Sequence, residues 1–328
     1  MGLEAIGPDM DPICPRKAKE LNAVNSQVLT ELKENVMKRL ASILFWIFTA
    51  TAICSAQTLY YPQIANGQQG GGVSWVTWIF VSNVTDGTAT GSMQFTQDNG
   101  TPFNIPFIDA ATRKPVTIGN ILPFDVGAGQ THVYLSTGAG PLLQGFGTLT
   151  SAVRLTSTAV FSKYAYGGGP GTGDLSFGLV AEASVPTVTP SPRQAIFFYT
   201  ANNFDTGLAL VNPDSSAANI TLQLFDRNAA ALAPPMLMTI PANNHIARYV
   251  SQLFPSAVGL DGILLIISPI PLAAASLRFS ASGAFTTLPV ISLASLLNPA
   301  LRWLDHRPWL SPFNSLAKLI SGLQLTIG

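Results

Sequence analysis

Apolar and polar residues alternate along most of this chain. Ile220, Leu222 and Leu224 are separated by Thr221 and Gln223, and Met93 and Phe95 by Gln94. A period of two puts every apolar side chain of a segment on one face, which predicts half-buried antiparallel strands. The runs are short and bounded by Gly, Pro, Asn and Asp. "DNGTP" at Asp98 and "DRNAA" at Asp226 stand where a hairpin reverses. Between Gln57 and Val290 there is almost no helical spacing. Beyond Val290 it appears, with Phe313, Leu316, Ala317, Ile320 and Leu323 on one helical face.

The pattern occurs twice. "WVTWIFVSNVTDGTATGSMQFTQDN" from Trp75 aligns with "FDTGLALVNPDSSAANITLQLFDRN" from Phe204. At one offset Thr77, Ile79, Val81, Asn83, Gln94 and Asn99 meet Thr206, Leu208, Leu210, Asn212, Gln223 and Asn228. "VGAGQTHVYL" from Val126 then pairs with "IPANNHIARYV" from Ile240, and apolar strands ending near Phe161 and Phe279 close both copies. Duplication on this scale spans a whole domain.

The expected fold is therefore all-β: two tandem antiparallel immunoglobulin-like β-sandwiches, without the Cys-Trp-Cys hallmark of the antibody domains. Domain 1 covers 57–183 and domain 2 covers 195–292. Between them, 184–194 ("SVPTVTPSPRQ") reads as a Pro-rich, semi-rigid linker. Residues 293–328 form a short helical appendage.

"MKRLASILFWIFTATAICSAQ", Met37 to Gln57, reads as an export leader. Lys38 and Arg39 precede an apolar run from Leu40 to Ile53, and small residues Cys54, Ser55 and Ala56 come next, so cleavage leaves Gln57 first. The run is shorter than the roughly 18 apolar residues of a membrane span, and Ser42, Thr49 and Thr51 interrupt it. A signal helix over 37–56 is expected, with no stable membrane span after cleavage. A lipid anchor on Cys54 fits poorly, because Thr51 and Ile53 stand where that motif has leucine and a small residue. Residues 1–36 are far denser in charge than the rest of the chain, which points to Met37 as the start of translation, the other reading being a long leader or a cytoplasmic tail.

Composition narrows the chemistry. Six of the 17 acids and six of the 17 bases lie in residues 1–56, leaving eleven of each beyond them, with no Lys/Arg cluster. A phosphate backbone needs a basic stripe, so nucleic acid is not an expected partner. Both cysteines, Cys14 and Cys54, fall in the segment to be removed. Disulfides, thiolate nucleophiles and Cys-bound zinc go with them. An outer-membrane barrel would suit the alternation and low charge, but 21 of the 24 prolines lie beyond Met37 and the chain ends in Gly328 without an aromatic.

Catalytic groups are sparse. His132, His245 and His306 have no second ligand at metal spacing; His132 and His245 fall near equivalent repeat positions and read as polar residues after turns. "GGGPGTGD" from Gly167 lacks the Gly-Lys-Ser/Thr ending of a phosphate loop and leads into no helix, and no Gly-x-Ser-x-Gly elbow occurs. Glycoside hydrolysis needs two carboxylates facing across a cleft, and the aspartates stand mostly beside Gly, Asn or Pro, where they cap turns. An enzyme is not expected.

Two candidate sites remain. Asn202, Asn203 and Asp205 cluster before a strand, and Asp214 and Asp261 fall near sandwich ends as further oxygen ligands for calcium; Asx-turns explain the cluster more simply. In the other site, core-facing Ile79 and Val81 force Trp78 and Phe80 to the opposite face, where the second copy has only Gly207 and Ala209. An exposed aromatic pair stacks on sugars or anchors a protein, although rings of this kind are more often covered by a loop or a neighbouring element.

"PQIANG" at Pro62–Gly67, "TGLALVNP" at Thr206–Pro213 and "FTTLPV" at Phe285–Val290 recur as phrases in a group of uncharacterised exported bacterial proteins built from two tandem β-sandwich repeats, which this chain resembles over residues 57–290. The resemblance implies fold and export and transfers no catalytic residue. The chain is expected to be a secreted, cell-surface or periplasmic module for adhesion or matrix binding, with an extracellular protein or glycan as partner. The competing expectation is a carbohydrate-binding or carbohydrate-degrading protein with Trp75, Trp78, Trp303 or Trp309 as its sugar platform.

Overall fold

A computed structural model describes residues 56–172 and 174–293, and over them the chain is all-β with antiparallel sheets. The expected leader through Ser55, the segment 1–36 and the helical appendage from 294 on, with Trp303, His306 and Trp309, lie outside the described residues. Among those described, no helix is long and apolar enough to cross a membrane.

The first half contains β1 (Gln57–Gly70), β2 (Val73–Ser82), β3 (Ala89–Gln97), β4 (Phe107–Asp109), β5 (Pro115–Thr117), β6 (Ile121–Val126), β7 (Thr131–Ser136), β8 (Leu143–Ser151), β9 (Thr156–Tyr164) and β10 (Leu179–Pro186). One path of pairing runs β1-β8-β3-β6 and the other β5-β4-β7-β2-β9-β10. The last residues of β1 leave β8 to pair with β2, which ties the two paths together. Alternation holds as expected: Met93 and Phe95 are fully buried, as are Ile79 and Val81.

The second half contains β11 (Ser191–Tyr199), β12 (Phe204–Asn212), β13 (Ala218–Phe225), β14 (Met236–Ile240), β15 (Asn244–Tyr249), the one-turn helix α1 (Val250–Leu253), β16 (Asp261–Ser280), β17 (Phe285–Leu288) and β18 (Val290–Ser292). It repeats the pairing of the first. β2 lies between β7 and β9, and β12 between β15 and the end of β16. β3 lies between β6 and β8, and β13 between β14 and the start of β16. β16 thus does in one strand what β8 and β9 do in two. It bends at Ser268–Leu272, where Pro269 and Pro271 have no N–H for a ladder.

Two buried asparagines close equivalent turns. The Asn83 side-chain amide donates to the carbonyls of Gly87, Val126 and Gly127, and that of Asn212 to those of Ser216, Ile240 and Pro241. Thr77 and Thr206, at matching positions earlier in the same strands, accept from and donate to the backbone of Ala65 and Tyr199 respectively. The "DNGTP" and "DRNAA" turns are both present, Gln97 N–H donating to Thr101 O and Asp226 N–H to Ala230 O.

Much of the expected spacer at 184–194 lies in strands. Ser184–Pro186 belong to β10 and Ser191–Gln194 to β11, which leaves four residues, 187–190, as the connection. Val188 exchanges both backbone hydrogen bonds with Tyr60, at 2.9 and 3.0 Å. Pro192 is accommodated because the register of β11 slips between Ser191 and Arg193, so no ladder donor is missed there. Leu293, placed by sequence in the appendage, is buried against Ala195 and Leu265.

The two halves also share apolar core. Ala209, Ala275, Leu277 and Phe285 of the second half are buried in the cluster that holds Ile79, Phe95 and Leu149 of the first. Phe146 packs on Val211 and Ala273 in a smaller cluster flanked by Tyr60 and Val188.

Candidate functional site

Small residues on the outer face of the second half shape a cleft against the first. At the repeat positions of Trp78 and Phe80, β12 carries Gly207 and Ala209, and Ala275 of β16 and Ala247 of β15 continue the same floor. Side-chain alternation puts them opposite the faces of Leu208 and Leu210 that fill the second half's own core. Glycine at 207 lets the Phe279 ring close over the strand, since a Cβ there would stand 2.8 Å from Cε2 of that ring and push it aside.

The facing wall comes from Gln63 and Ala65 of β1, Trp75 of β2, Gln144 of β8 and Phe161 of β9. The cleft encloses about 300 Å³. An aromatic cluster runs through it from one half to the other. Trp75 stacks on Phe161 at 4.7 Å between centroids, Phe285 stands 5.7 Å from both, Phe279 stands 5.4 Å from Phe285, and Tyr249 meets Phe279 edge-on at 5.3 Å. Lys163 holds its ammonium 5.7 Å from the Trp75 ring.

The polar groups of the cleft are amides and one guanidinium. Gln63 is 5 % exposed; its Nε2 donates to Gln144 Oε1 at 3.2 Å, and among the described residues its buried Oε1 meets no donor. Gln69 Oε1 accepts from the Trp75 indole at 2.8 Å, and Gln252 Oε1 from the Tyr249 N–H at 3.0 Å. Arg248 is exposed at the rim. It donates to the Ala247 carbonyl, and among the described residues it meets no carboxylate. Among the described residues no Asp or Glu lines the cleft. Burial, and then the Asp205 charge, raise the Tyr249 phenol above its ordinary value.

Trp78 and Phe80 lie on the opposite face from Ile79 and Val81, as the alternation requires, and both are half-buried. Neither lines the cleft. Trp78 packs with Val76, Leu135 and Tyr164, and Ile108, Ala110 and Leu175 lie against the same cluster. The Tyr164 hydroxyl donates to the Leu175 carbonyl at 3.0 Å, tying that loop over the ring.

The four oxygen-ligand candidates are not brought together. Asn203, at φ +62°, and Asp205 line a shallow hollow beside α1. Asp205 accepts from the Thr206 N–H at 2.8 Å and from the Ser251 hydroxyl. Asp214 lies past the other end of β12, about 23 Å of strand away at ~3.3 Å per residue. It accepts from the Ser216 N–H in an Asx-turn. Asp261 is held by both arms of Arg227, at 2.6 and 2.9 Å. Among the described residues no three His, Cys, Asp or Glu gather at one point.

His132 and His245 differ by one step of register. His132 is opposite Val81, whereas His245 is opposite Val211, the counterpart of Ser82. With a period of two, one step turns the side chain to the other face. His132 packs edge-on to Tyr134, and His245 is buried against Asp98 of the first half.

No protein-family model matches the chain, and no curated protein does. Its function is therefore read from the cleft. Among the described residues, Trp75 is the one of the candidate sugar-platform aromatics that reaches it. Gln63, Arg248, Tyr249 and the small floor were missed, although the contrast between Trp78 and Gly207 held the signal: a large-to-small change between copies marks where another surface comes to rest.

Proposed function

We propose that this chain is an exported, non-catalytic binding module for adhesion or matrix binding. On this reading it is two tandem immunoglobulin-like sandwiches of the kind found in the exported bacterial proteins it resembles, with its ligand held in the cleft between the copies. The leader ahead of Gln57 and the lack of cysteine beyond it support export. The observation that carries the binding role is the aromatic-lined cleft itself, walled by Trp75 and Phe161 of the first half and by Phe279 and Tyr249 of the second, with exposed Arg248 at its rim. A cleft of about 300 Å³ stands at the lower end of small-molecule sites, which span about 300–1,000 Å³.

The carbohydrate reading is favoured over a purely structural one by the aromatic wall and the amides. Its degrading form draws no support from the cleft, because hydrolysis needs a pair of carboxylates and among the described residues none lines it. The test is a panel of glycans and matrix proteins probed with the native protein and with Ala247→Trp, which fills the half-buried mouth. Saturable binding that Ala247→Trp removes is the expected result; binding indifferent to that change places the ligand elsewhere.

A further inference from the structure

One sheet of the second half is apolar on its outer face where its counterpart in the first half is polar. β14, β13, β16, β11 and β18 lie side by side in that order. Leu264 and Ile266 of β16 fill the second half's core, so Ile263, Leu265 and Ile267 point the other way. Register places Phe197 and Phe225 on either side of Ile263, and Ala195 beside Leu265. In the first half, Ser92 and Gln94 of β3 pair with Thr150 and Thr148 of β8. At the same repeat positions Thr221 and Gln223 of β13 pair with Ile267 and Leu265. Threonine suits the solvated face of an antiparallel sheet; leucine and isoleucine in its place mark a face that another element covers.

The cover begins within the described chain. Leu293, its last residue, is 1 % exposed, packs on Ala195 and Leu265, and donates its N–H to the Arg193 carbonyl at 2.9 Å. Around that contact apolar surface is left over: Phe197 and Ile291 are each 43 % exposed, and Leu237 on the edge strand 78 %. The sequence runs on from this point through 294–328, where Phe313, Leu316, Ala317, Ile320 and Leu323 recur at helical spacing. A helix over 313–323 would be about 16 Å long at ~1.5 Å per residue. The five strands, ~4.8 Å apart, measure about 19 Å across.

We propose that the C-terminal segment 294–328 folds back onto this face, with Phe313, Leu316, Ile320 and Leu323 laid across Phe197, Ile263 and Ile267. The segment is tethered at Leu293, on the face itself, which gives it an effective concentration on the order of millimolar. A second copy of the chain competes against that tether and is held off. None of these residues lines the cleft, so the docking holds or fails apart from the binding role.

The experiment is photo-cross-linking of the full purified chain carrying p-benzoylphenylalanine in place of Phe197, a half-exposed ring whose replacement keeps its shape. Cross-linked peptides are mapped by mass spectrometry, and a mixture of light and isotope-labelled chains separates links within a chain from links between chains. The expected product joins position 197 to a peptide from 294–328 of the same chain, in a yield that does not change on tenfold dilution. Leu316→Asp combined with Ile320→Asp, which puts charge on the apolar side of the segment, should lower that yield at least tenfold and raise the fluorescence of a dye that reports exposed apolar surface. Links only to the neighbouring strands, or a link to 294–328 that survives the double substitution, overturns the proposal. Links between chains also overturn it and make the face a contact between copies.

Discussion

Nδ1 of His245 lies 2.7 Å from Oδ1 of Asp98, and the backbone N–H of the same histidine donates to the Asp98 carbonyl at 3.2 Å. The imidazole is fully enclosed, whereas the carboxylate is half exposed. Asp98 opens the turn after β3, so this contact clamps one copy of the repeat to the other. The corresponding turn of the second copy puts Arg227 in that place and holds Asp261 instead.

Removing the carboxylate leaves a buried ring nitrogen without its partner, in addition to Nε2, which already has none. Asp98→Ala is expected to cost about 1–3 kcal/mol. A urea midpoint unchanged from the native protein would show the clamp to be energetically idle.

Asn83 and Asn212 each tie three carbonyls and are almost completely buried. Replacing either with alanine leaves three acceptors short of a donor, at about 2–4 kcal/mol. Because the two networks match, the penalties should agree closely. Denaturant curves of the two variants check this, and a large disparity contradicts the equivalence of the turns.

Gly207→Val adds bulk where even a Cβ comes within 2.8 Å of the Phe279 ring. Overpacking of about 1–3 kcal/mol is expected, and ligand binding should fall with it as Phe279 is pushed into the cleft. At the matching position of the first copy, Trp78→Gly empties a packed ring site instead and should cost about 3–5 kcal/mol. Melting and binding measured on the same samples separate these effects.

Burial, with the Asp109 and Asp125 charges, pushes the Tyr134 phenol up to about 12. An unfolded tyrosine ionises near 10. Between these values the unfolded chain has lost a proton that the folded chain keeps, so stability is intact below about pH 10 and declines toward pH 12. Tyr134→Phe should flatten that decline, since among the described residues the hydroxyl makes no hydrogen bond. Equilibrium unfolding at pH 9, 10.5 and 11.5 is the check; equal slopes for both proteins would contradict it.

The strands were legible because a period of two is a local property, and Ile220, Leu222 and Leu224 declare it without reference to the rest of the chain. The duplication was legible for the same reason, since Asn83 and Asn212 hold identical turns. The junction was not. Pro186, Pro190 and Pro192 read as a spacer, but proline at a strand end or a register slip costs no ladder bond, and only the pairing of Val188 with Tyr60 reveals the fit. The cleft was hidden because its walls come from strands of both halves, from β1 at Gln63 to β16 at Phe279, which no local pattern brings together. Its marks were also small ones: Gly207 and Ala209 drew less notice than the rings of Trp78 and Phe80.

The account stands on the two copies acting as one body, with a shared core and a cleft that exists only while they are joined. Scanning calorimetry of the purified protein tests this most directly. A single transition with equal calorimetric and van't Hoff enthalpies is predicted. Two resolved transitions, one for each copy, would contradict it.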